Sequence, residues 1–223
     1  MNRKYFEIQL ALEGLQIDNR NRIKKLDVNH FDIEKEVDKR IPQVIALQID
    51  NSISVFYSEL LNISVINTLE KLNKGDFIND TSKVTKILNC EVGNYVTYIF
   101  PKSFNIDSND IVEFKNSDDI KLKEFDESFY RVFPKAFAVM KDNKVVSCCV
   151  SSRESNNAGE AWVYTLPEYR KKGYGTTVVK VWANDLIKNK KVPFYSHEKN
   201  NICSKLLAEK LELRKVFETK VYE

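Results

Sequence analysis

One stretch constrains this chain more than any other: residues 160–186, EAWVYTLPEYRKKGYGTTVVKVWANDL. It reads as strand, tight basic loop, helix. Ala161, Trp162, Val163 and Tyr164 suit a buried or half-buried strand. Pro167 has no N–H to give to a ladder and stops it. Arg170, Lys171 and Lys172 lead into Gly173-Tyr174-Gly175, after which Val178, Val179, Trp182 and Leu186 recur at helical spacing with Ala183 beside them. The loop therefore delivers the chain into a helix N-terminus. There the first N–H groups lack intrahelical partners and the helix dipole favours negative charge. Glycines let the backbone approach a ligand with no Cβ in the way. With three cations ahead of it, such a turn suits phosphate, most simply a pyrophosphate.

Two other phosphate loops do not fit. A P-loop needs a terminal Gly-Lys-Ser/Thr, which is missing. The dinucleotide fingerprint needs a Gly or Ala three residues after its second glycine, where this chain has Val178. What remains is Arg-x-x-Gly-x-Gly over 170–175. A Gly-containing turn with solvated lysines is the competing reading of those six residues. The pattern resembles motif A of the GNAT superfamily, the acetyl-CoA-dependent N-acetyltransferases. The downstream order agrees. Residues 192–196, VPFYS, predict the next strand, followed by Asn201, Ser204 and an amphipathic helix with Leu206, Leu207 and Leu211 on one face. The superfamily has a helix at that place, which starts near an Asn and carries a small residue three positions on. The resemblance covers about the last half of the chain, from about residue 137 onward.

The resemblance implies an α+β fold, with a mostly antiparallel sheet that splays where two parallel neighbours separate. Unpaired backbone groups at the splay can take the two amides of pantetheine as a false strand. It implies acetyl-CoA as co-substrate, with the backbone N–H groups of Lys171, Lys172, Gly173, Tyr174, Gly175 and Thr176, behind Arg170, on the pyrophosphate. Backbone groups of Val163, Tyr164 and Thr165 would bond pantetheine, one N–H there would polarise the thioester carbonyl, and Asn201 would reach the arm from the last helix. For proton handling several candidates stay open. Glu160 opens the central strand near where some family members carry a carboxylate base, with a strand-end Glu as the rival reading. His197 and Glu198 are alternative bases, His being the better one near neutral pH. A surface turn is the rival reading of that pair. The superfamily's usual tyrosine acid on the last helix falls here at Ala208, and its usual following Gly at Glu212. Ser204, a water or an unassisted thiolate departure would then serve.

Composition bounds the rest. A chain of 223 residues with 43% hydrophobic and 30% charged content can bury one large core or two small ones. The net charge of +3 is too small to argue for nucleic acid or membrane as partner. No apolar run suggests a membrane span, and the N-terminal residues do not read as a signal peptide. Cys90, Cys148, Cys149 and Cys203 form no C-x-x-C pair, and His30 and His197 stand apart, which argues against a metal site. Reduced thiols and a cytoplasmic location follow as the expectation. Cys148 and Cys149 would point to opposite faces of a strand, one in the core and one exposed.

Along the chain, the first forty residues predict mostly helix with a charged surface linker. Residues 45–57 predict a hairpin turning at Asp50-Asn51-Ser52. Apolar spacing from Glu59 predicts a helix ended by Lys74-Gly75, and a short helix follows over 81–88 from a Thr/Ser cap. Residues 95–100 and 111–114 predict strands around a polar loop. A hairpin turning at Asp142-Asn143, after Phe133-Pro134, joins strands over 136–140 and 145–151, and residues 214–222 predict a last strand. We divide the chain into an N-terminal α+β segment, 1–115, that shapes the acceptor side or is plain scaffold, and a coenzyme-binding core, 116–223. The expected function is N-acetyl transfer to a small-molecule or protein amine, in a monomer or homodimer. A non-catalytic acyl-CoA-binding or interaction protein is the main alternative, and a nucleotide-binding domain the third.

Overall fold

The computed structural model describes residues 2–26, 31–32, 41–101, 103–106, 111–115, 125 and 135–223. One open sheet runs through it. Its strands are β1 (Leu15–Ile17), β2 (Arg22–Lys25), β3 (Phe31–Asp32), β4 (Val44–Ile49), β5 (Ser52–Ser58), β6 (Val92–Ile99), β7 (Ile111–Phe114), β8 (Ala136–Lys141), β9 (Lys144–Glu154), β10 (Ala158–Thr165), β11 (Val192–Glu198) and β12 (Arg214–Tyr222). Their order is β1-β2-β5-β4-β12-β6-β11-β10-β9-β8-β7, with β3 paired to β9. Among the described pairs, β2–β5 and β10–β11 are parallel and the others antiparallel. The helices are α1 (Asn2–Leu12), α2 (Ile63–Leu69), α3 (Ser82–Leu88), α4 (Tyr174–Lys188) and α5 (Ile202–Lys210). None is long and apolar enough to cross a membrane.

Strand alternation sorts the core onto both faces. On β4, Val44 and Ala46 pack with Leu69 of α2, Phe77 of the turn between the helices and Val84 of α3, while Ile45 and Leu47 face α1 through Phe6 and Leu10. On β11, Phe194 faces α1, whereas Tyr195 joins Val178, Val179, Trp182 and Ala183 of α4. The α4 face reads from its sequence as expected: Val178, Val179, Trp182, Ala183 and Leu186 are its buried residues. Trp182 Nε1–H donates to Ser151 Oγ at 2.9 Å, so the one polar atom of that large ring is satisfied. The β8–β9 hairpin turns through Asp142 and Asn143 at φ of 48° and 62°, the left-handed pair that a two-residue turn requires.

Several expectations are corrected. The N-terminal helix stops at Leu12, and a β1–β2 hairpin follows, whose turn is held by Asp18 Oδ1 accepting from the N–H groups of Arg20 and Arg22. The linker expected near residues 32–40 lies mostly outside the described residues, as do Phe133-Pro134 and part of the loop before residue 111. The helix expected from Glu59 begins only after Asn62, whose side chain caps it through Ser64 N–H, and Lys74–Phe77 is a 3-10 turn rather than a helix end. Cys148 and Cys149 do face opposite ways, yet both are fully buried, because both faces of β9 are covered. On α5 the buried positions are Ala208 and the following Leu211, while Leu206 is 58% exposed.

Candidate active site

The site forms where β10 and β11 part. Their parallel pairing covers only Ala158↔Val192, Gly159↔Pro193 and Glu160↔Phe194. Beyond that apex β10 stays with β9 as far as Thr165↔Ser147, and β11 stays with β6 as far as Glu198↔Tyr95. A register shift between Glu160 and Ala161 sits at the apex, with Ser152 of β9 as the extra, unpaired residue. Leu166 N–H donates to Val146 O at 3.0 Å, so alternation turns the N–H and C=O of Ala161, Val163 and Thr165 away from β9 and into the gap.

At the far end of that open edge stands the glycine loop. Gly173 is the N-cap of α4 at φ 88° and ψ −8°, and a Cβ there would meet nothing within 4 Å. Lys171 also takes a left-handed φ of 62°. Among the described residues, none accepts from the backbone N–H of Lys171, Lys172, Gly173, Tyr174, Gly175 or Thr176; the first helical bond is Thr177 N–H to Gly173 O, at 3.0 Å. Converging unpartnered N–H groups at a helix N-terminus form an anion cradle. Gly175 has a different task. A Cβ on it would come within 3.1 Å of Thr165 Oγ1, so its absence lets α4 sit tight on β10. Arg170 is occupied locally: its Nε–H donates to Thr165 O at 3.0 Å and its guanidinium lies 5.7 Å from the Tyr164 ring centre. Lys172 Nζ lies 5.0 Å from the Tyr169 ring centre. The loop's side chains thus brace it, and its main chain faces outward.

The remaining sequence-derived candidates fall on two faces of the gap. Glu160, 5% exposed, faces α1. Its Oε2 accepts from Arg153 Nη1 at 2.6 Å and its Oε1 from Gln9 Nε2 at 3.0 Å. Gln9 Nε2 also reaches Ser196 Oγ at 2.8 Å, so this one amide of α1 ties β10 to β11 across the apex. Gln9 Oε1 is buried and takes no partner among the described residues. On the α4 face lie His197 and Ser204. His197 Nδ1 is 2.7 Å from Glu198 O; a carbonyl only accepts, so Nδ1 carries a proton and donates it there. That Nε2 is buried without a partner among the described residues, and the ring stacks on Tyr98 at 5.5 Å. Neither Glu160 nor His197 is a surface residue. Asn201 Oδ1 caps α5 by accepting from Ser204 N–H at 3.0 Å, a bond that does not use its Nδ2.

Gln9, Arg153, Ser196 and Tyr195 were not singled out in the sequence. Gln9 alone carried a signal, a polar residue on the buried stripe of α1 beside Phe6 and Leu10.

Comparison with known proteins agrees with this geometry. Residues 135–222 match the family model described as GNAT acetyltransferase. A GNAT-family acetyltransferase structure from Colwellia psychrerythraea is 12% identical, with a TM-score of 0.53 over 97% of this chain and 95% of that one. A GNAT-family structure from Novosphingobium aromaticivorans is 18% identical, with a TM-score of 0.50 over 59% of this chain; this chain spans 64% of its length. These structural likenesses bear on the fold alone. No curated protein matches the chain. Over residues 135–222 the chain is thus similar to the GNAT acetyltransferases.

Proposed function

We propose that the chain transfers an acetyl group from acetyl-CoA to an amine by direct attack. The observation that carries this reading is the alignment of two features: an open strand edge from Ala161 to Thr165, and a set of unpartnered N–H groups at the end of it. The edge spans about 13 Å at roughly 3.3 Å per residue, room for an extended arm with two amides. An anion cradle beyond an amide-binding edge fits coenzyme A and fits neither ATP nor NAD, which have no such arm. Bound acetyl-CoA supplies a thioester carbonyl as electrophile. The gap-facing N–H groups of β10 orient it and bond its oxygen as charge develops there.

The two faces of the gap divide the remaining work. The cradle and α5 hold the coenzyme from the α4 face, so the amine approaches from the α1 face. Glu160 is on that side, and its carboxylate suits an ammonium group and the proton that the amine must lose. His197 lies on the coenzyme side, away from that approach. The N-terminal segment shapes the acceptor side through α1, and Gln9 is its point of contact with the apex. The reading places the protein among reduced thiols, in the cytoplasm.

Ala208, 1% exposed where the superfamily usually has a phenol, favours a second reading, a non-catalytic acyl-CoA binder. Calorimetry with CoA followed by thiol release from acetyl-CoA across a panel of primary amines separates the two. Binding with release supports the transferase, binding without release on any amine supports the binder, and no binding of CoA ends both.

A further inference from the structure

Transfer of the acetyl group leaves a thiolate, which departs more easily if a nearby acid protonates it. The position expected to supply that acid is Ala208, and α5 offers no phenol there. The strand beneath it does. Tyr195 is the first residue of β11 past the last parallel pair, Glu160↔Phe194, so it stands where the gap opens. Alternation places its ring on the α4 face, in the same buried cluster as Ala208, with Val163 of the facing strand packed against that cluster. Its hydroxyl has the Ser204 hydroxyl, on the first turn of α5, as polar neighbour.

We propose that Tyr195, beside the first turn of α5, is the acid that protonates the departing thiolate. The inference rests on the coenzyme reading above. The other polar groups on this face are less suited. Thr165 Oγ1 lies at the cradle end and is paired with Ser147 Oγ at 2.8 Å. His197 has its Nδ1–H committed to Glu198 O at 2.7 Å and its ring stacked on Tyr98, toward β6. Tyr98 belongs to β6, one strand further from the gap. Ser204 is an alcohol, a much weaker acid than a phenol. Burial pushes the Tyr195 phenol up to about 12, so it holds its proton at neutral pH and has one to give.

The step balances. The amine nitrogen forms a bond to the carbonyl carbon, and the carbon–sulfur bond breaks with its electron pair going to sulfur. The Tyr195 hydroxyl proton passes to sulfur. The surplus proton on nitrogen leaves to Glu160 or water on the opposite face, and the Tyr195 oxygen recovers a proton from solvent by way of Ser204.

The test needs no acceptor. CoA with its free thiol is bound to the parent protein and to Tyr195→Phe, and the thiolate of each complex is titrated by its ultraviolet absorbance, with CoA affinity measured by calorimetry. The phenol donates to the thiolate, so the bound thiol in the parent ionises about one pH unit lower than in Tyr195→Phe, tenfold in ionisation constant. CoA affinity at low pH stays the same. Superimposable titrations with CoA bound to both proteins overturn the assignment and leave the coenzyme reading intact. Absence of CoA binding in the parent defeats that reading instead. Should Tyr195→Phe fail to fold, fluorotyrosine at position 195 keeps the shape and strengthens the donor. The bound thiol then ionises lower still, and no movement overturns the proposal.

Discussion

Gly173 offers the sharpest perturbation, because the structure separates what its replacement costs the fold from what it costs the ligand. Its φ of 88° is left-handed, so any L-residue there costs about 1 kcal/mol in backbone strain. A Cβ would meet nothing within 4 Å, so no packing cost is added. For a chain of this size that is a fall in Tm of roughly 2–4 °C, read by thermal unfolding. Glu and Lys at this position share the backbone cost and differ in charge. A carboxylate about 5 Å from a phosphate charge repels it by about 1–3 kcal/mol, depending on whether the effective dielectric is near that of water or of a protein surface. Two phosphates make that roughly a 100-fold loss of CoA affinity for Gly173→Glu. Gly173→Lys keeps or improves affinity, and pantetheine, which lacks the diphosphate, is indifferent to both. Calorimetry gives the affinities. If Gly173→Glu and Gly173→Lys bind CoA within about threefold of each other, the loop does not hold the diphosphate and the assignment of the site is wrong.

Three further outcomes follow from the same geometry. Glu160→Gln lowers turnover of an amine at neutral pH while leaving CoA affinity unchanged; an unaltered rate and pH profile would leave Glu160 as a purely structural partner of Arg153 and Gln9. Tyr222→Phe removes the hydroxyl that donates to Phe77 O at 2.7 Å in the buried α2–α3 cluster, which costs about 1 kcal/mol of stability by denaturant unfolding and does not touch CoA binding. Burial disfavours the Glu218 carboxylate, but its bonds to Lys199 and Lys215 outweigh that and draw its pKa below the ordinary 4.5. A depressed carboxylate stabilises the fold above its unfolded pKa and loses that contribution as pH falls through its folded value. The Tm difference between the parent and Lys199→Ala/Lys215→Ala is therefore widest at neutral pH and narrows in acid below 4.5; a difference that stays constant with pH would refute the linkage.

The chain's own residues were enough for the elements whose cause is local. The glycine loop, the α4 stripe of Val178, Val179, Trp182, Ala183 and Leu186, and the Asp142-Asn143 hairpin depend on φ preferences and on periodicity within one segment. Helix length was less legible around α2, where Asn62 capped the chain later than apolar spacing alone suggested. Local pattern also misjudged the burial of Cys148 with Cys149 and of Leu206, because burial depends on what another segment lays over a face.

The pairing of distant strands was decided only in three dimensions. β6, from the N-terminal segment, stands between β11 and β12, and no local signal marks that partnership across about a hundred residues. The same holds for Gln9 reaching Glu160, and for Tyr195 and Ala208 meeting in one buried cluster. A segment's sequence dictates its own dihedrals and which of its faces is apolar. Which groups meet across a gap depends on the free energy of the whole packed sheet, to which every segment contributes at once.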